Sequence, residues 1–467
     1  MIFKNDMKFR GLILFLCVFY FTEGHTQKTT IENPIPNKAQ LAWQRAELGA
    51  VFHYDLHVFD NKKYRQTGNS GNRTNPIADY QVFNPQQLDT DQWIRAIKKA
   101  GFKFAIITAT HETGFALYPS LVNPYNVRVL KWKDGKGDIV RDFVNSCRKY
   151  GIQPGIYVGI RWNSFFGVHD FKVNGTGTFQ QKRQAYYNQM VEGMVKELCT
   201  QYGPLFEIWF DGGASHPDLG APDVLPIVKK YQPDCLFYHN NQLAEARWGG
   251  SESGTVPYPC WATFPTPYSH TGDTTTDHIY LLKHGDPNGK YWMPAMSDAP
   301  LRGYNGRHEW FWEPGDEKHI FPLEKLMHMY YNSVGHNSTL IMGLTPDPQG
   351  LLPQADVKRL EEWGAAIKKT FSNQIASTAG KGDRILLSLE NSTIIENIVL
   401  QEDITLGQRV RAYNIQAYSN GQWRTIANGQ SIGHKRIHKI DPTEVEQLRL
   451  EITEKTLPPV MERFSVY

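Results

Sequence analysis

The sequence predicts an α/β protein: a (β/α)8-type TIM barrel over residues 35–372, followed by a small C-terminal β-sandwich over residues 378–467. Two observations predict it. From about residue 40 to 372, short apolar runs alternate with amphipathic stretches, the rhythm of βα units and a parallel sheet. Near Ser372–Asp383 the texture changes to β-rich segments with Asn-Gly turn signals. A chain of 467 residues is long enough for a large barrel plus a smaller module.

Strands are expected over Gly49–His57, Phe102–Ala109, Pro154–Gly159, Phe206–Asp211, Cys235–His239, Tyr291–Met296 and Thr339–Gly343. Helices lie between them. Asp89-Thr90-Asp91 opens one that stops at Gly101, while Asp138–Tyr150 and Gln180–Tyr202 run into Gly151 and Gly203, the usual left-handed cap. Parallel strands each followed by a helix favour a barrel with long insertions at one end. A doubly wound open sheet is the competitor, but no glycine-rich phosphate fingerprint follows any strand. In the C-terminal module, strands are expected at Arg384–Leu389, Ile394–Leu400, Val410–Ser419 and Leu448–Thr453, with turns at Asn420-Gly421 and Asn428-Gly429.

Apolar residues make up 40% and charged residues 21%, a balance that excludes a disordered chain. The 13% aromatic share suits a protein that handles sugars, and equally a barrel with an aromatic core. Lys and Arg number 50 against 47 Asp and Glu, with no basic run to track a phosphate backbone, so nucleic acid is not an expected partner. Lys4, Lys8 and Arg10 precede an apolar run from Gly11 to Phe21, which reads as a signal peptide over residues 1–24. That run is too short to anchor the chain across a bilayer, so export to the periplasm or the medium is expected and no membrane span. Leu16 before Cys17 is bulkier than a lipidation signal prefers, which disfavours a lipoprotein. Cys147, Cys199, Cys235 and Cys260 match no zinc spacing and are too sparse for a disulfide scaffold, so buried free thiols are expected.

Side chains at the C-terminal ends of barrel strands converge on the active site, so acids are sought there. Asp211 ends the apolar run Phe206-Glu207-Ile208-Trp209-Phe210 and is followed by Gly212-Gly213. Period-two alternation places Glu207, Trp209 and Asp211 on the barrel interior. An Asp there also suits a turn or a helix cap.

The run Glu207–Gly212 resembles the nucleophile strand of glycoside hydrolase family 29, the retaining α-L-fucosidases. The resemblance extends along the chain through Gly49–Tyr54, His111 with Gly114–Ser120, Gly155–Tyr157 with Arg161–Asn163, Arg247–Gly254, Ser333–Asn337 and Pro346–Leu351. The segment Arg247-Trp248-Gly249-Gly250-Ser251-Glu252 is similar to that of the subgroup with restricted linkage preference. The resemblance implies a TIM barrel, no cofactor, no metal, and a terminal fucosyl residue on an oligosaccharide or glycoconjugate as substrate. It implies Asp211 as nucleophile and Glu252 as acid/base. Retaining hydrolysis needs the two carboxyls about 5–5.5 Å apart. His53, His111, Glu112, Tyr157, Trp162, Trp209, Arg247 and Trp312 are the implied sugar contacts, with Trp310 a further candidate beside Trp312. Glu112, Asp298, Glu309 and Glu313 are reserve acids.

Four residues at three places depart from the family pattern. Its His-His-Asp loop is His111-Glu112-Thr113 here, the Gly that follows its first-strand motif is Asp55, and one acid is lost at Met296. Glu112 exchanges a possible donor for a carboxylate that only accepts when ionised. An α-L-galactoside, which differs from a fucoside by a hydroxyl at C6, or a modified fucoside is therefore the alternative substrate. Two other readings are kept. A metal-dependent hydrolase draws on His53, Asp55 and His57 alternating along the first strand, with His111 and His239 as further ligands. A non-catalytic glycan-binding protein draws on the altered loop. The C-terminal module is expected to buttress the barrel, with carbohydrate binding as the alternative.

Overall fold

The structure, a computed structural model, describes residues 33–59, 79–269, 275–307 and 309–467, without the side chains of His239 and Asn240. The expected signal peptide and Cys17 lie outside the described residues, as does His308. Residues Asn33–Tyr467 form one compact unit.

Among the described residues eight parallel strands build the barrel: β1 (Leu48–Phe52), β2 (Phe104–Thr110), β3 (Gln153–Val158), β4 (Glu207–Ala214), β5 (Leu236–Asn240), β6 (Arg247–Trp248), β7 (Ala295–Pro300) and β8 (Ser338–Leu344). They hydrogen-bond in the order β5-β4-β3-β2-β1-β8-β7-β6. The remaining seam between β5 and β6 is bridged by Glu245 N–H to Phe237 C=O at 3.2 Å. Every residue of β1, β2 and β8 is buried. Helices cover such strands outside and side chains fill them inside, so they read as unbroken apolar runs.

The helices fall where their caps put them. They are α1 (Lys38–Ala46), α2 (Thr90–Lys99), α3 (Ile139–Tyr150), α4 (Gly177–Gln201), α5 (Leu225–Tyr231), α6 (Thr276–His284), α7 (Leu323–Asn332) and α8 (Gln354–Phe371). Asp89 and Asp138 each accept a backbone N–H of the first turn at 2.9 Å, satisfying donors that a helix start leaves unpaired. Gly151 closes α3 at φ 67°, as expected. Helix α1 plugs the barrel base, where the Trp43 indole donates to Glu207 Oε2 at 2.8 Å.

Three expectations are corrected. The first strand stops at Phe52 instead of His57, because the Asp55 carboxylate accepts the Leu56 N–H at 2.6 Å and caps a 3-10 turn over Leu56–Val58. The seventh strand is Ala295–Pro300; Tyr291–Trp292 instead pairs antiparallel with Thr263–Phe264. Strand β6 has two residues, too few to leave a periodic signal.

The C-terminal module holds β9 (Ala376–Lys381), β10 (Arg384–Glu402), β11 (Val410–Ser419), β12 (Gln422–Gly429), β13 (Arg436–Lys455) and β14 (Val460–Val466). They pair antiparallel in the order β9-β14-β10-β13-β11-β12. The expected segments Arg384–Leu389 and Ile394–Leu400 are two halves of one strand, bent by register shifts between Ser388 and Thr393 and again between Ile395 and Asn397. Ile385 and Leu387 from one half share a core with Ile398 and Leu400 from the other, so the sheet folds over itself as a sandwich. Cys147, Cys199, Cys235 and Cys260 are free and buried, as expected. No helix of the described residues is long and apolar enough to cross a membrane.

Candidate active site

Strand β4 alternates as its sequence predicts. Glu207 is fully buried, Trp209 packs between Tyr157 and Tyr238 at ring distances of 5.8 and 5.0 Å, and Asp211 stands half-buried at the mouth. The Asp211 carboxylate accepts hydrogen bonds from the Tyr157 hydroxyl and the Gly212 N–H. Gly212 has φ 62°, and a Cβ there would lie 2.5 Å from Arg161 Cδ, so only glycine lets Arg161 and Trp162 close over this strand end.

Burial, then the neighbouring carboxylates of Glu112 and Glu252, push the Asp211 carboxyl up to about 6, against the two hydrogen bonds. Glu252 comes from the loop after β6, and its Oε2 accepts the Trp310 indole N–H at 3.1 Å. Asp298 on β7 accepts the Trp248 indole N–H at 3.1 Å. Burial, then Glu252 and Asp211, hold the Asp298 carboxyl well above the usual carboxylate range. Four carboxyls on three strand ends and one long loop thus act on one another at one end of the barrel, with Tyr238 among them.

An aromatic wall faces this acid cluster. The His53 ring lies 5.0 Å from Trp310, 5.5 Å from Phe311 and 5.6 Å from His111, and His111 stacks on Tyr157 at 5.2 Å. Burial holds His53 neutral, its pKa down to about 3 against a hydrogen bond to the Val51 backbone, and leaves a ring nitrogen for a bound hydroxyl. The Trp209 indole N–H is buried with no protein acceptor, a donor left for a bound hydroxyl. Trp162 sits at the rim with the Arg161 guanidinium 4.6 Å above its ring. Arrangements of this kind, apolar ring faces with a few convergent polar groups, suit a pyranose.

Of the expected sugar contacts, His53, His111, Glu112, Tyr157, Trp162 and Trp209 converge on this cavity. Arg247 does not, and is corrected. Its side chain is fully buried, and its guanidinium donates to the Leu282 carbonyl at 2.9 Å, the Trp261 carbonyl at 2.8 Å, the Met293 carbonyl and Cys260 Sγ. It faces away from the cavity because Trp248, its neighbour on β6, faces in. Trp312 is half-buried on the loop after β7, and it is Trp310 of that loop that reaches Glu252. A Cβ on Gly343 would lie 2.5 Å from the Trp310 ring, so glycine on β8 makes room for that indole. Glu313 lies outside the acid cluster, 3.7 Å from Arg307. Asp298 and Trp310 are the residues whose importance the sequence leaves undecided.

Two of the positions that depart from the family pattern, Asp55 and Thr113, meet one another. Thr113 Oγ1 lies 2.7 Å from both oxygens of Asp55, and His57 Nδ1 is 3.3 Å from Asp55 Oδ2. Ligand atoms of Asp55, His57 and His111 lie within 4.8 Å of one another, so these three are the residues that could share an ion. His53 is not in that group among the described residues. Asp55 already accepts from Thr113 and Leu56, so an ion there would share its carboxylate with those two donors.

A family model for alpha-L-fucosidase matches residues 37–370, most of the chain. The chain belongs to the alpha-L-fucosidase family. A crystal structure of a provisionally named alpha-L-fucosidase of Bacteroides thetaiotaomicron VPI-5482 is 57% identical, with a TM-score of 0.89, covering 93% of this chain and 99% of that one. A glycoside hydrolase 29 family member from a rumen bacterium is 30% identical at TM-score 0.77, over 93% and 77% of the two chains. Alpha-L-fucosidase 1 of Arabidopsis thaliana is 26% identical over 93% of this chain and 87% of that protein. As a family member the chain is a glycosidase on a TIM barrel with an appended β-sandwich, and the likeness spans both modules.

Proposed function

We propose that this glycosidase removes terminal α-L-fucosyl residues from oligosaccharides or glycoconjugates by double displacement, with Asp211 as nucleophile and Glu252 as acid/base. The observation that carries the reading is the pair itself: Asp211 held by Tyr157 and Gly212 on a barrel strand, with a second carboxyl, Glu252, acting on it from a separate loop. In the first step an Asp211 oxygen forms a bond to the anomeric carbon while the glycosidic bond breaks and Glu252 gives its proton to the leaving oxygen. In the second, Glu252 takes a proton from water, whose oxygen attacks the anomeric carbon and releases Asp211. Neutral His53, the Trp209 N–H and the His111–Tyr157 stack supply hydroxyl and ring contacts. The N-terminal charge and apolar pattern supports export, and the glycan substrate is consistent with it.

A second reading has a specific observation behind it. Asp55, Glu112 and Thr113 are all buried where the family carries Gly, His and Asp, which rearranges the polar groups beside the sugar wall. They favour an extra hydroxyl, as in an α-L-galactoside. Hydrolysis of 4-nitrophenyl α-L-fucoside and α-L-galactoside, side by side, separates the two; a strong galactoside preference replaces the fucosyl assignment. Loss of turnover on chelation would revive the metal reading, and tight glycan binding without any turnover would establish the binding protein.

A further inference from the structure

Glu252 lies on an irregular stretch between β6 and α6, and loops of that kind hold a catalytic group only as firmly as their anchors. On either side of Glu252 the nearest anchors are barrel backbone: before it Gly249 N–H to the Met296 carbonyl and after it Gly254 N–H to the Asp298 carbonyl, both 2.8 Å. Farther along, Val256 N–H reaches the Asn332 carbonyl at 2.9 Å, and His336 Nδ1 lies 2.8 Å from the Val256 carbonyl.

The far end belongs to the C-terminal sandwich. The Tyr258 hydroxyl donates to the Ser431 carbonyl at 2.9 Å and accepts the N–H groups of Gln430 and Ser431 at 2.7 and 3.0 Å. The Arg436 guanidinium sits 4.1 Å over the Tyr258 ring. Two residues on, Ser431 Oγ donates to the Cys260 carbonyl at 2.8 Å, and Gln408 Nε2 donates back to Ser431 Oγ at 2.7 Å. Gln408 Oε1 also accepts the Ala262 N–H at 3.0 Å. Ser431 and Gln408 are almost wholly buried, so water does not compete for these bonds. Even the β12 end is shaped for the contact, since a Cβ on Gly429 would lie 2.4 Å from the Tyr258 hydroxyl.

We propose that the C-terminal sandwich is a positioning element for the acid/base, and that Tyr258 and Ser431 are the residues through which it sets Glu252. The inference rests on the reading of Glu252 as acid/base. It assigns the module a role in the reaction in place of carbohydrate binding. Neither residue touches substrate, so a shift of the loop should damage proton delivery and leave sugar binding alone.

Tyr258→Phe and Ser431→Ala, with Glu252→Ala as reference, are assayed on two aryl glycosides of the sugar the enzyme turns over. One carries a good leaving group (2-chloro-4-nitrophenol) and the other a poor one (phenol). A misplaced general acid costs about tenfold or more on the poor leaving group and little on the good one. The expected result is that selective loss in kcat/KM, which reports the first, proton-donating step alone, for both loop variants, with the melting temperature confirming a folded chain. Should Tyr258→Phe fail to fold, Ser431→Ala carries the test alone. Equal loss on both glycosides, or no loss in a folded variant, overturns the proposal. If Glu252→Ala itself shows no selective loss, the acid/base reading has failed; if only Glu252→Ala shows it, that reading stands and the positioning role falls.

Discussion

The indole N–H of Trp310 donates to Glu252 Oε2 at 3.1 Å, joining the aromatic wall of the sugar cavity to the loop that carries the proposed acid/base. The bond runs between the loops after β7 and after β6. The Trp310 loop is itself fixed by buried charge. Arg302 donates to Asp356 at 3.0 Å and to Asp316, and Arg307 pairs with Asp316 at 2.9 Å.

Trp310→Phe keeps most of the ring and removes the donor. Hydrogen bonds to charged groups contribute about 1.5–3 kcal/mol, so a loss of roughly tenfold or more in kcat is expected. Steady-state kinetics on an aryl fucoside check it. An unchanged kcat would show that the loop anchors alone hold Glu252.

As the proposed nucleophile, Asp211 has to be ionised to attack. With Asp211 raised to about 6 by burial, Glu112 and Glu252, kcat/KM should fall as pH drops through about 6. Glu112→Gln removes one like charge, lowers the Asp211 pKa and moves that acid limb to lower pH. A pH profile of both proteins measures the shift, and an unmoved limb would separate Glu112 from Asp211 electrostatically.

Burial pushes the Glu207 carboxyl up to about 8, against the single Trp43 hydrogen bond. A carboxyl raised above its unfolded value contributes stability that is present below about pH 4.5 and lost as pH rises through about 8. Glu207→Gln titrates in neither state. It should therefore melt higher than the parent at pH 8 and show little gain at pH 4. Thermal melts at the two pH values test the sign; a gain confined to pH 4 would contradict it.

Much of the fold is legible because burial leaves a simple mark. Strands β2 and β8 are covered on both faces and read as apolar runs, and Gly151 marks a helix end by its left-handed φ. Strand β6 is invisible at two residues, and the bend that joins both halves of β10 has no local signature beyond a polar stretch. At the site, Asp211 is legible from its place at a strand end. Arg247 is misassigned because it stands one residue from Trp248, and one step along a strand reverses the face. The Thr113–Asp55 bond joins positions 58 residues apart, a pairing that a single sequence does not encode. Trp310 reads as packing until its indole N–H is placed against Glu252.

The most direct test of the account is Asp211→Ala, assayed on the aryl glycoside with and without azide. Loss of the nucleophile is expected to abolish hydrolysis. Azide attacking from the vacated face should then restore turnover and give the β-L-glycosyl azide, inverted at the anomeric carbon. A variant that still hydrolyses the substrate, or one whose rescued product keeps the α configuration, would contradict Asp211 as the nucleophile.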